Sequence, residues 1–245
     1  DLGGSNLHTL LGVRNNKAGL GGYISGQKRL GTEGLEGLLV ETDYERLYFV
    51  PGDALVPGTA NLNYFRKQKI IRDMSELPAD FVLLDLVAGS SHNTVDFYLA
   101  GTDSLIVTTS EITSILNAYS FLKAALYRLL YRSFPARSPE RSYIQHRLMA
   151  RVEGSEETYV EVAKGLSDIS QESREHALQQ IEGFVPQVVV NMARSSKDLA
   201  VSSRLRHVTE KNLGTHLSFI SVIGHDESVS YSIARRTPAL VMYPD

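Results

Sequence analysis

The stretch 80–89, DFVLLDLVAG, is a short apolar run broken by one acid, Asp85, and closed by Gly89. Its apolar residues are continuous rather than alternating. That is the pattern of a strand covered on both faces, as in a parallel sheet. Working outward, four more runs read the same way: RLYFVPG (46–52), SLIVTTS (104–110), PQVVVNMA (186–193) and LSFISVIG (217–224). Each is rich in β-branched or aromatic residues and ends near Gly, Ser or Asn. Between them lie helical periods. Ile112, Ile115, Leu116, Tyr119, Leu122, Leu126, Leu129 and Leu130 recur at three- and four-residue spacings and predict one long amphipathic helix over 112–130. Residues 61–76, 92–100, 195–212 and 226–235 are further helix candidates. Strand alternating with helix predicts an α/β fold: a doubly wound, mostly parallel sheet with helices on both faces. Ligands of such sheets bind beyond the carboxyl ends of the strands, where the candidate residues of this chain lie.

One region departs from the alternation. Residues 132–182 carry two prolines, many charges and no strand signal, and predict two or three short helices inserted into a single domain spanning 1–245. The length of 245 residues is enough for that one large domain and its core. The net charge of −3 argues against a dedicated nucleic-acid binder. The absence of Cys excludes disulfide scaffolds, thiolate zinc sites and a Cys nucleophile, and it fits a reducing cytoplasm. No apolar run is long enough to span a bilayer.

Chemistry-bearing residues follow from position. An acid ending a strand of Val and Leu, as Asp85 does, suits a water-mediated Mg²⁺ site at the phosphate end of a nucleotide. A glycine just after it, Gly89, lets a backbone N–H approach the terminal phosphate. The bland alternative is that Asp85 only caps the next helix. Other clusters carry less. His8, His92, His146, His176, His207, His216 and His225 show no paired ligand spacing. Ser91 and His92 are neighbours without a nucleophile elbow. GLGGYISG (19–26) lacks the dinucleotide-loop spacing and a preceding strand. Arg128, Arg132, Arg137, Arg141, Arg147 and Arg151 read as a solvated, partly neutralised helical face more readily than as a surface for an anionic partner. Tyr119 and Phe121 read as core.

Four stretches together resemble the MinD/ParA group of deviant P-loop ATPases, most of all its FlhG-like and Mrp-like branch: DLGGSNLHTLLGV (1–13), 65–100 around FVLLDLVAG, IVTTSEITSILNAYSFLKAALYR (106–128) and SVIGHDESVSYSIARRTPALVMYP (221–244). They keep the family's order along nearly the whole chain. The resemblance implies a strand, a KGGVGKS/T-type P-loop, a helix and a second strand upstream of Asp1; no GKS or GKT occurs within the 245 residues. It implies ATP and Mg²⁺ as cofactors. Asp1 resembles the acid that orients the attacking water, Asn6 the switch I asparagine near the dimer face, and Gly3 a glycine of the same nucleotide-contacting loop. Asp85 resembles the Walker B acid that meets Mg²⁺ through water, and Gly89 the switch II glycine. Asn191 resembles the asparagine that reads the adenine edge, and Gly224, His225 and Asp226 the loop that closes over the base. The chain departs from the family pattern at Ser110, Ile112 and Gly224, where prolines are common.

The function implied is an ATP-dependent homodimeric switch that positions flagella, division machinery or other cargo. Its protein partner is unnamed by the sequence, and no specific nucleic acid is expected. The implied location is the cytoplasm, with peripheral contact at the inner membrane through a segment beyond Asp245 as an option. The alternative is a non-catalytic scaffold that keeps the nucleotide fold for protein contacts. A cluster-delivery role of the Mrp type is disfavoured, because cluster carriers need thiolates and the chain has none.

Overall fold

Val188 and Val190 are fully buried, and they mark the strand around which the sheet is built. The computed structural model describes residues 6–14, 19–24, 34–52, 62–149, 157–195 and 198–244. These fall into two units, Gly89–His225 on one hand and Asp1–Ala88 with Asp226–Asp245 on the other. In chain order the elements are α1 (Leu7–Leu10), α2 (Leu20–Ile24), β1 (Val40–Glu41), β2 (Tyr48–Phe49), α3 (Tyr64–Ser75), α4 (His92–Tyr98), β3 (Leu105–Thr108), α5 (Ile112–Arg132), α6 (Pro139–Met149), α7 (Tyr159–Gly165), α8 (Gln171–Gly183), β4 (Gln187–Ala193), α9 (Leu199–Leu213), β5 (Ser218–Gly224), α10 (Glu227–Ala234) and α11 (Ala239–Met242).

The unit Gly89–His225 is an α/β layer. Its sheet has the order β3-β4-β5 with both pairings parallel. Ile106 lies opposite Val188 and Thr108 opposite Val190, and all four are buried on one face. Helix α5 packs against β3 and also against α4, α6, α8 and α9. Of the expected stripe, Leu122, Leu126 and Leu130 are buried, joined by Ala118 and Ala125, whereas Ile112 and Leu116 at the start of the helix are exposed. Each fully buried Leu or Val contributes about 1.5–3 kcal/mol relative to exposure. On the other face of β3, Leu105 and Val107 are 53% and 63% exposed, so this strand alternates where full burial was expected.

The span from α5 to β4 is helical, as its composition predicts, and its helix starts are written locally. Thr158 and Glu161 form a reciprocal capping box on α7, and Ser170 caps α8 through Ser173 N–H. Ser91 caps α4 by accepting from Thr94 N–H at 3.2 Å, which gives the Ser91–His92 pair a structural role. Gly214 ends α9 at φ +73°; a Cβ there would lie 2.2 Å from Val160 Cγ2, so the α9 end can approach α7 this closely only with glycine.

Four of the arginines read as a solvated face are tied to partners. Asp96, buried at 3% exposure, accepts both Arg128 Nε (2.7 Å) and Arg128 Nη2 (3.0 Å), and also Arg132 Nη1 (2.9 Å). Arg141 Nε donates to Phe134 O at 2.8 Å, and Arg147 pairs with Glu157. The bidentate geometry fixes α4 against the C-terminal half of α5.

In the other unit, Leu20, Leu35 and Leu38 form a small core with Tyr23, Ile24, Val50, Met74 and Leu77. The strand expected over 46–52 is reduced to Tyr48–Phe49 and pairs antiparallel with Val40–Glu41. Two features cut it short. Arg46 adopts φ +60° in the preceding turn, and Pro51 has no N–H for a ladder while its carbonyl accepts from Leu20 N–H at 2.9 Å.

The strand expected over 80–89 is a correction. Residues 81–87 form no strand among the described residues. A strand exists only by pairing, and among the described residues no segment pairs with this run. Its side chains are accordingly exposed, Phe81 to 87% and Leu83 to 91%. The helices expected at 61–76, 92–100, 112–130, 195–212 and 226–235 all form, with ends shifted by a few residues. No helix among the described residues is long and apolar enough to cross a membrane.

The Asp96 cluster yields a stability prediction. Asp96→Ala leaves two guanidinium groups without their buried acceptor and should destabilise the protein by about 3–5 kcal/mol. Arg132→Ala, which leaves the bidentate pair in place, should cost less. Urea unfolding followed by circular dichroism measures both.

Candidate functional site

The C-terminal rim of the β3-β4-β5 sheet gathers the largest group of the expected site residues. Asn191 lies near the end of β4, and Gly224 ends β5. Ala193 pairs with Gly224, and His225 N–H donates to Ala193 O at 2.8 Å, so the ends of β4 and β5 are joined. The β4–β5 register shifts between Val190 and Ala193, and Met192 within that shift adopts φ +58°. This is a β-bulge, a device that re-aims a side chain at a strand end. Here it leaves Asn191 half-buried, with its Oδ1 accepting from Met192 N–H at 2.9 Å. The carboxamide nitrogen remains outside that bond as a donor.

A second tie holds the loop leaving β4, and no motif marks it. Asp198, at the start of α9, accepts on one oxygen from Arg194 N–H (2.7 Å) and Ser195 N–H (2.8 Å). Backbone N–H donors from Arg194 and then Ser195, followed by the Ser110 and Ser195 hydroxyls, hold the Asp198 carboxyl below the usual carboxylate range. Ser114 anchors the β3–α5 loop: its Oγ accepts from Thr109 N–H at 2.9 Å and bonds to Thr108 Oγ1 at 2.9 Å. The two loops flanking the rim are therefore pinned by side chains.

Gly224 is exposed, and a Cβ placed on it would come no nearer than 4.0 Å to Ala193 O, so the loop is not crowded at that point. Gly89 opens the same unit at φ +106°, with nothing within 4 Å of where a Cβ would stand. The backbone is thus bare on that side, as close approach of a ligand requires.

The remaining candidates belong to the other unit. Asn6 precedes α1 and makes no side-chain cap bond. Asp85 is exposed, within the stretch 81–87 that forms no strand among the described residues. Asp226 caps α10, its Oδ1 accepting from Ser228 N–H at 2.8 Å. Asp1 and Gly3 lie outside the described residues. Among the described residues no group of three or more His, Asp or Glu side chains is assembled to hold a metal ion.

Compared with known proteins, the chain matches no family model and no curated protein.

The Asp198 tie has a pH signature. Its carboxyl is depressed in the folded state, so its contribution is fully present above the unfolded aspartate value and is lost as pH falls through the lower folded value. Amide hydrogen exchange at Arg194 and Ser195 should therefore be slow down to that point and accelerate below it, while Val188 and Val190 stay protected. In Asp198→Asn the acid-linked step should vanish.

Proposed function

We propose that this protein is an ATP-binding and hydrolysing switch of the MinD/ParA type, built on the P-loop fold with a doubly wound parallel sheet. The observation that carries the reading is the grouping of Asn191, Gly224 and His225 on one rim, at the C-terminal ends of two adjacent parallel strands. Open α/β sheets bind nucleotides beyond those ends.

The residues on the rim fit a purine base. The Asn191 carboxamide offers N–H donors to a ring nitrogen, and the Gly224–His225 backbone supplies an uncluttered edge. At the phosphate end, the bare backbone at Gly89 suits close approach of a γ-phosphate, and Asp85 suits a water-held Mg²⁺. Asp1, Gly3 and Asn6 would take the switch I roles, with Asp1 orienting a water, and Asp226 would set the start of the helix behind the base loop. Bound Mg·ATP supplies the γ-phosphate whose presence or loss distinguishes two shapes of the protein, and through them monomer from homodimer. The protein would then act in spatial positioning, in the cytoplasm or peripherally at the inner membrane.

A second reading has one observation in its favour. Leu105 and Val107 stand exposed on one face of β3, apolar side chains of the kind that a non-catalytic interaction module would use.

The two readings separate on nucleotide. The full-length protein should turn over Mg·ATP, Asp85→Ala should reduce turnover by about a hundredfold, and Asn191→Ala should raise KM by about tenfold with a smaller effect on kcat. Equal rates for the wild type and Asp85→Ala would reject the switch. Micromolar Mg·ATP binding in calorimetry would reject the scaffold.

A further inference from the structure

At the opposite end of the same sheet, where β3 and β4 begin, the unit Gly89–His225 contains a cleft of about 320 Å³. That is the lower end of the range for small-molecule sites. Its apolar wall is formed by Leu99, Leu129 and Phe184. Its polar side carries the carboxylate of Asp103 and the carboxamides of Gln179, Gln180 and Gln187. No Lys, Arg or His is among its lining residues. Gln187 Nε2 donates to Asp103 Oδ1 at 3.3 Å, which orients the carboxylate and leaves Gln187 Oε1 and Asp103 Oδ2 outside that bond. Tyr98 also lines the cleft, and its buried hydroxyl has no hydrogen-bond partner among the described residues. A buried polar group without a partner calls for an explanation, and a ligand or ordered water is the ordinary one.

This set of groups is selective in sign and in shape. One exposed carboxylate with surrounding amide oxygens, and no cationic side chain to neutralise it, favours a cation. The planar fork of a guanidinium matches a carboxylate better than a compact ammonium does, and its spare N–H groups match amide oxygens. Its weak hydration suits a cleft with one apolar wall, along which an alkyl stem can lie. We propose that this cleft binds a free small molecule bearing a guanidinium on a short alkyl stem. The site lies at the strand starts, away from the Asn191 rim, and does not depend on what that rim binds.

The test uses n-butylguanidinium as the probe, titrated into the whole chain and followed by backbone amide shifts and calorimetry. Saturable binding with a Kd below about 1 mM is expected, with shifts centred on Thr102, Asp103 and Gln187. Neutral n-butylurea, of nearly the same shape, should bind at least about tenfold more weakly, as should the probe to Asp103→Asn. Gln180→Glu adds a charge without touching the Asp103–Gln187 bond and should tighten binding. Shifts that grow linearly without saturation, equal binding of butylurea, or unchanged affinity in both variants would overturn the proposal. Tighter binding of an arginine-containing peptide than of the probe would overturn its free-ligand part.

Discussion

The central position of β4 is the constraint on which the described α/β unit depends. A strand flanked on both edges by parallel neighbours has its backbone hydrogen bonds satisfied by them, which frees Val188 and Val190 to be buried without cost to the main chain. Parallel neighbours cannot be joined by hairpins, so each must be reached by a helical crossover. The crossovers are α5 with α6–α8 on one side and α9 on the other, and α5 becomes the hub of the helical layer. The carboxyl ends of the strands then fall on one rim by geometry alone. The loops leaving that rim can be short and pinned because their starting points are already rigid.

Much of this was legible in the chain. The spacing of Leu122, Leu126 and Leu129–Leu130 specifies α5 because burial selects one helical face, and that selection is local. VVVN and SFISVIG specify β4 and β5 because β-branched and apolar runs fit a strand, with Gly224 closing β5 and β4 continuing past Asn191 to Ala193. FVLLDLV misled for a physical reason. A continuous apolar run signals coverage of both faces, yet a strand also needs partners at its edges, and a local run of residues carries no information about them. The same limit reduced RLYFVPG to a two-residue antiparallel ladder, where Pro51 alone was a warning.

The site was legible where function rides on strand ends and illegible where it rides on side-chain bonds. Asn191 and Gly224 could be picked from position. The positive φ of Met192 could not, since nothing in NMAR requires a bulge. Asp198 sits in SSKD just before an apolar period, which signals a helix start, but its acceptance of the Arg194 and Ser195 N–H groups depends on how the chain turns after β4 and carries no motif. The cleft at Asp103 escaped for the same reason: its residues come from three separate segments and share no motif. Arg128 and Arg132 show the reverse case. Their helical spacing suggested a solvated face, and the buried Asp96 on a different helix turned them into a structural clamp.

The most direct test of the account is a Mg·ATP titration of the protein followed by amide and side-chain nuclear magnetic resonance shifts. The account requires the largest changes at the Asn191 carboxamide and the Ala193, Gly224 and His225 amides, with Thr102 and Asp103 undisturbed. A titration that leaves the Asn191 rim silent, or moves only residues at the strand starts, would contradict it.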